Sequence, residues 1–129
     1  TWPYNAHTTA ADALWAGVPV VTLIQNSFAS RVAASVLNAA GLAELAFETV
    51  PDYRCAITAL AADPALLAGY RQHLHKPAAL PLFDGQRYTR EFETLLQRMW
   101  ARWRAGQSAD HLPAQTAPLS LDTPLTPLP

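Results

Sequence analysis

Residues 8–24 read TTAADALWAGVPVVTLI, and this stretch combines a helix start, a helix end and a strand. A threonine hydroxyl can accept a hydrogen bond from a free backbone N–H at a helix start, so Thr8 or Thr9 is the predicted N-cap. Gly17 suits the position just after a helix, where the backbone often turns left-handed. Residues 18–24 are short, apolar and rich in β-branched side chains, which predicts a buried parallel strand.

The residues that follow continue an α/β pattern. Ser27 can cap a second helix, and Gly41 ends it. The order helix, buried strand, loop and helix is typical of a doubly wound α/β sheet. The apolar stripe of this second helix consists of Phe28, Val32, Val36, Leu37 and Ala40.

The rest of the chain is predicted to be mainly helical. Two helices are expected over residues 51–62 and 64–75, each opened by a proline, with Asp63 capping the second. Asp84 can cap a last helix, which ends at Gly106 and must dock on another surface through its apolar stripe. That stripe consists of Phe92, Leu95, Leu96, Met99 and Trp103, and Trp103 is expected in the core.

Residues 106–129 contain five of the eleven prolines and show no helical or strand period. This composition predicts an extended, disordered tail after a folded portion over residues 1–105. The chain lacks an initiator Met, so we expect it to be a fragment of a longer protein.

Composition narrows the classes of protein. The chain has 129 residues, half of them hydrophobic and 15% charged, which fits one compact domain. A net charge of -1 argues against a nucleic-acid partner, and no apolar run approaches the roughly 20 residues of a membrane span. Cys55 is the only cysteine, so no internal disulfide can form, and we expect it to be a small buried hydrophobe. Arg31 is expected to support the fold by pairing with a carboxylate.

The start of the first helix is the candidate site. His7, Thr8 and Thr9 would place an imidazole, two hydroxyls and free N–H groups beside an anion such as a phosphate. Asp12 lies one helical turn further on and could accept hydrogen bonds from a ribose diol. Simple capping explains the same residues, and the chain has no GxGxxG or Walker A motif, so this pattern alone names no ligand. His73 and His75 do not share a helix face, and no metal site is predicted there.

Residues 3–22, PYNAHTTAADALWAGVPVVT, resemble the C-terminal part of the catalytic region of the O-GlcNAc transferase/SPINDLY family. The likeness covers about residues 1–110 and continues at 28–35, 41–45, 81–84, 88–89 and 99–100. It implies the C-terminal portion of the donor-binding lobe of a GT-B, Rossmann-like glycosyltransferase, helix-rich α/β in class. A bacterial member with tetratricopeptide repeats is expected.

The resemblance implies transfer of N-acetylglucosamine from UDP-GlcNAc to Ser and Thr hydroxyls of an acceptor protein. His7, Thr8 and Thr9 would then bind the donor diphosphate and Asp12 the ribose, while Tyr4 and Asn5 would lie near the donor sugar. No cofactor or metal is expected. The other expectations are a cytoplasmic location, a missing N-terminal lobe, no nucleic-acid or membrane partner, and no activity or certain catalytic residue in the fragment alone.

Some residues depart from the family pattern. The loop at residues 25–27 reads Gln-Asn-Ser instead of Gly-Glu-Thr, which puts an acidic role there in doubt. The family's diphosphate-binding lysine would lie upstream, and Lys76 does not take that role. A protein O-fucosyltransferase using GDP-fucose and a non-catalytic interaction module remain alternatives, although His7 favours the GlcNAc branch.

Overall fold

The computed structural model describes residues 3–113, which fall into two units that divide after Tyr88. The first unit is a helix-rich α/β arrangement, as the sequence predicts. Its strands are β1 (Thr22–Leu23) and β2 (Ala46–Phe47), and the helices of the described chain are α1 (Thr8–Trp15), α2 (Val32–Ala39), α3 (Val50–Ala62), α4 (Pro64–His73) and α5 (Gly85–Arg104). Short 3₁₀ turns lie at Phe28–Ser30, Ala43–Leu45, Pro77–Ala79 and Pro81–Phe83.

The two strands pair in parallel, with Thr22 opposite Ala46 and Leu23 opposite Phe47. The N–H of Ile24 adds a bond of 2.7 Å to the carbonyl of Phe47. The predicted parallel strand is therefore confirmed, but within the described residues it is much shorter than 18–24. A strand needs a partner along its length, and β2 offers only two residues.

The core of the first unit lies where α1, α2 and the end of α4 meet. Leu14 and Leu37 are fully buried there, and Leu74 contributes from the C-cap of α4. The other buried members of this contacting cluster are Ala40, Leu42, Leu45 and Leu80. Burial of each leucine contributes about 1.5–3 kcal/mol, so this cluster holds α1 in position.

Two predicted helix ends are confirmed in detail. Gly17 has φ +78°, and the N–H groups of Gly17 and Val18 bond the carbonyls of Leu14 and Ala13. This is a Schellman ending, in which the last free carbonyls of α1 find partners. Gly41 has φ +75° and ends α2 through the same bonding pattern.

The predicted cap of α4 is also confirmed, because Asp63 Oδ1 accepts from the N–H groups of Ala65 and Leu66. Thr49 caps α3, because its Oγ1 accepts from the N–H of Asp52. This cap was not predicted from the sequence. The prediction for Cys55 is wrong: the thiol is exposed, because α3 contributes no fully buried residue to the core.

The second unit contains most of α5 and the residues after it. The predicted cap of α5 lies in the first unit and is confirmed, because Asp84 Oδ1 accepts from the N–H of Arg87. Trp103 is 67% exposed and stacks on Trp100 at a centroid distance of 4.8 Å, so its predicted core position is wrong. The other members of the α5 stripe are also at least 36% exposed.

Residues 107–113 form no helix or strand. Arg98 donates to the carbonyl of Pro113 at 2.9 Å, and Arg102 donates to that of Ser108 at 2.7 Å. The rest of the predicted tail, residues 114–129, lies outside the described residues. No helix in the described part of the chain is long and apolar enough to cross a membrane.

Candidate functional site

The start of α1 is uncapped. His7 occupies the N-cap position, yet its side chain makes no capping hydrogen bond. Thr8 and Thr9 are the first helical residues and are exposed, so the prediction that one of them is the N-cap is wrong. Within residues 3–113 neither their N–H groups nor their hydroxyls have a hydrogen-bond partner. The helix start therefore presents free donors to solvent.

His7 is oriented by a residue far along the chain. Its Nε2 lies 3.2 Å from the carbonyl oxygen of Ala29, and because a carbonyl only accepts, Nε2 carries the proton. The Tyr4 hydroxyl lies 3.5 Å from Nδ1, in position to donate to it. The Tyr4 ring also stacks on the imidazole, with centroids 4.7 Å apart. These contacts fix the orientation of the imidazole at the start of α1.

Asn5 ties this segment to the strand and the following turn. Its side chain is only 2% exposed, and Nδ2 donates to the carbonyls of Leu23 at 3.3 Å and Ser30 at 2.7 Å. Its backbone N–H donates to the carbonyl of Ala29 at 3.1 Å. Asn5 therefore acts as a brace. Its predicted place near a donor sugar stays a prediction, but its amide nitrogen is already engaged within the protein.

The turn that receives these bonds is itself held by two serines. Ser27 Oγ accepts from the N–H of Ser30, and Ser30 Oγ, fully buried, donates to the carbonyl of Ser27 at 2.9 Å. The cap predicted at Ser27 is real, but it serves the 3₁₀ turn and not α2, which begins at Val32. For the same reason Phe28 does not belong to the buried stripe of α2 and is 81% exposed.

Asp12 is exposed on α1, one turn beyond the free donors. Its carboxylate has no hydrogen-bond or ion-pair partner within residues 3–113. A carboxylate in this state can accept two hydrogen bonds from vicinal hydroxyls. The structure thus brings His7, Thr8, Thr9 and Asp12 to one helix end and leaves three of them open to solvent.

A cleft of about 410 Å³ opens at the carboxyl ends of both strands. Its lining consists of Ile24, Gln25 and Asn26 after β1, Glu48 after β2, and Arg31. Arg31 is exposed and pairs with no carboxylate among the described residues, which contradicts its predicted supporting role. In open α/β sheets ligands lie at this edge.

No group of three or more His, Cys, Asp or Glu side chains that could hold a metal ion occurs among residues 3–113. His73 instead places its Nε2 at 2.8 Å from the carbonyl of Ala40.

The parallel strand pair and the uncapped start of α1 indicate that this chain is a segment of a parallel α/β protein. The family model described as glycosyl transferase family 41 matches residues 1–92. The chain belongs to this family.

Named relatives agree with this assignment. The chain is 39% identical over 113 residues to the UDP-N-acetylglucosamine–peptide N-acetylglucosaminyltransferase of Caenorhabditis elegans, covering 87% of this chain and 10% of that protein. It is 35% identical over 109 residues to the probable UDP-N-acetylglucosamine–peptide N-acetylglucosaminyltransferase SEC of Arabidopsis thaliana, covering 83% and 11%.

A solved structure shares the fold. It is a lysine-to-methionine mutant of the O-GlcNAc transferase of Thermobaculum terrenum, with a TM-score of 0.71 and 38% identity over 78% of this chain and 19% of that chain. The chain therefore spans about a tenth of the length of the two enzymes named above and a fifth of the solved structure.

Proposed function

We propose that this chain contributes the donor-binding surface of a protein O-GlcNAc transferase, which transfers N-acetylglucosamine from UDP-GlcNAc to Ser and Thr hydroxyls. The proposal assigns the donor diphosphate to His7, Thr8 and Thr9 and the ribose to Asp12. The observation that carries it is the uncapped start of α1, where donors that normally find a cap are left open. The activities for which the two relatives are named support UDP-GlcNAc as the donor and peptides as acceptors.

The free donors suit the charge that develops during transfer. When the sugar leaves UDP, negative charge accumulates on the diphosphate. The N–H groups and hydroxyls of Thr8 and Thr9 would bond its oxygens, and the positive end of the α1 dipole would add to the attraction. In this proposal these groups offset the leaving-group charge without a metal. Loss of one such donor typically costs about 3 kcal/mol of barrier.

Asp12 lies at a suitable distance for the ribose. Four residues of helix rise by about 6 Å, which is comparable to the separation of a diphosphate from the diol of its ribose. The unpartnered carboxylate of Asp12 would accept hydrogen bonds from that diol. The anionic diphosphate would lie at the N-terminal end of α1, where the helix dipole is positive. The carboxylate and the free N–H groups therefore match the two ends of one ligand.

Calorimetric titration with UDP of the protein that carries this chain tests the ribose assignment. Asp12→Ala removes a charge-assisted hydrogen bond and is expected to weaken UDP binding about tenfold or more. Glu44→Ala, which removes an exposed carboxylate of the 3₁₀ turn Ala43–Leu45, is the control and should leave the constant unchanged. An unchanged constant in Asp12→Ala would contradict the assignment, and tighter binding of GDP than UDP would favour the fucosyltransferase alternative.

Turnover with UDP-GlcNAc and an acceptor peptide tests the diphosphate assignment. His7→Ala and Thr9→Ala are each expected to lower turnover roughly a hundredfold. Transfer at near wild-type rate by both variants would refute it.

A further inference from the structure

Phe28 is exposed where an aromatic side chain is not needed for folding. It opens the 3₁₀ turn Phe28–Ser30 and is 81% exposed, more than any other large hydrophobic residue in the described chain. Leaving a phenylalanine in water forgoes the stabilisation that its burial would supply. A single exposed aromatic residue needs no explanation by itself, so the contacts around Phe28 determine whether it has a function.

The backbone beneath Phe28 is rigidly held. The Ser27 and Ser30 bonds close the turn, and the neighbouring Ala29 carbonyl accepts from both the Asn5 N–H and His7 Nε2. The Phe28 ring therefore projects from a fixed base and lies edge-on to the imidazole of His7, at a centroid distance of 6.2 Å and an angle of 86°. Together with Tyr4, which is 62% exposed, it forms an aromatic wall around His7.

The order of groups along the site places this wall beside one part of the donor. A nucleotide sugar is a linear sequence of ribose, two phosphates and sugar. If the ribose lies at Asp12 and the diphosphate at Thr8 and Thr9, the sugar falls beyond the start of α1, where His7 and the aromatic wall lie.

We infer that Phe28 is a specificity-determining residue for the donor sugar, and this inference rests on the proposed function. The Phe28 ring would provide an apolar surface for the C–H face of the pyranose, while polar groups elsewhere in the site would form hydrogen bonds with the hydroxyls of the sugar. UDP alone has no pyranose, so its binding does not use Phe28. The contribution of Phe28 to donor binding therefore appears in the difference between the affinity for UDP-GlcNAc and the affinity for UDP.

The test compares UDP and UDP-GlcNAc binding in the protein that carries this chain. Phe28→Ala is expected to keep the UDP constant within about twofold and to weaken UDP-GlcNAc roughly fivefold to tenfold. Phe28→Leu, which keeps apolar bulk without the ring, should lose part of that affinity. Ile57→Ala, which truncates an exposed apolar residue of α3, is the matched control and should change neither constant. Unchanged thermal unfolding of Phe28→Ala confirms that the fold is intact, as expected for so exposed a residue.

The outcomes separate this inference from the proposed function. If wild-type protein fails to bind UDP, or binds it equally after Asp12→Ala, the proposed function fails. If UDP binding behaves as proposed but Phe28→Ala leaves UDP-GlcNAc binding unchanged, this inference alone fails. Equal weakening of both ligands, or a raised KM for the acceptor peptide with unchanged donor binding, would also overturn it.

Discussion

Replacing Asn5 by alanine tests the brace that connects the segment before α1 to β1. The substitution removes two side-chain hydrogen bonds, to the carbonyls of Leu23 and Ser30. Each buried bond contributes about 1–1.5 kcal/mol, so the loss is about 2–3 kcal/mol. Asn5 Oδ1 is buried without a partner, and its removal returns part of this loss, about 1 kcal/mol. The net destabilisation is therefore about 2 kcal/mol.

Thermal unfolding followed by circular dichroism measures this effect. In a unit the size of Thr1–Tyr88, a destabilisation of about 2 kcal/mol lowers Tm by roughly 8–16 °C. Asn26→Ala is the matched control, since Asn26 is exposed, lies near the same turn and makes no hydrogen bond within residues 3–113. Its Tm should change by less than about 4 °C. Equal Tm values for the two variants would refute the reasoning, because the bonds to Leu23 and Ser30 would then contribute nothing.

A further prediction concerns two glycines whose replacement by alanine should have opposite effects on stability. Gly17→Ala should destabilise the protein by about 1 kcal/mol, because an L side chain is strained at φ +78°. Gly69 lies inside α4 with open space where a Cβ would go, so Gly69→Ala should stabilise the protein by up to about 1 kcal/mol. Urea unfolding measures both changes. A change in the free energy of unfolding with the same sign for the two variants would contradict this argument.

Features that depend on neighbours in the sequence were predicted well. The ends of α1 and α2 at Gly17 and Gly41, and the caps at Asp63 and Asp84, follow from bonds that span six residues or fewer. A left-handed turn or a carboxylate cap needs no distant partner, so residue type and spacing are enough.

The candidate site was predicted only in part. Its residues were proposed from their spacing and from the family resemblance, but Thr8 or Thr9 was expected to be the N-cap of α1 and His7 occupies that position. Local propensity favours threonine as a cap, whereas the structure begins the helix one residue earlier and leaves both hydroxyls free. The contribution of the Phe28–Ser30 turn was missed, because its contacts with Asn5 and His7 join residues 22 to 25 positions apart.

The sequence by itself therefore determined the helix-rich α/β class and most helix boundaries. The residues around α1 were also enough to identify the family. Only the tertiary structure decided which side chains are buried. Cys55 and Trp103 were expected to be buried, and Phe28 was placed on the apolar stripe of the second helix, yet all three are exposed. The physical reason is that burial depends on which elements pack together, and an apolar residue has the same local signature on either face. The same holds for the orientation of His7, which a carbonyl 22 residues away sets through one hydrogen bond.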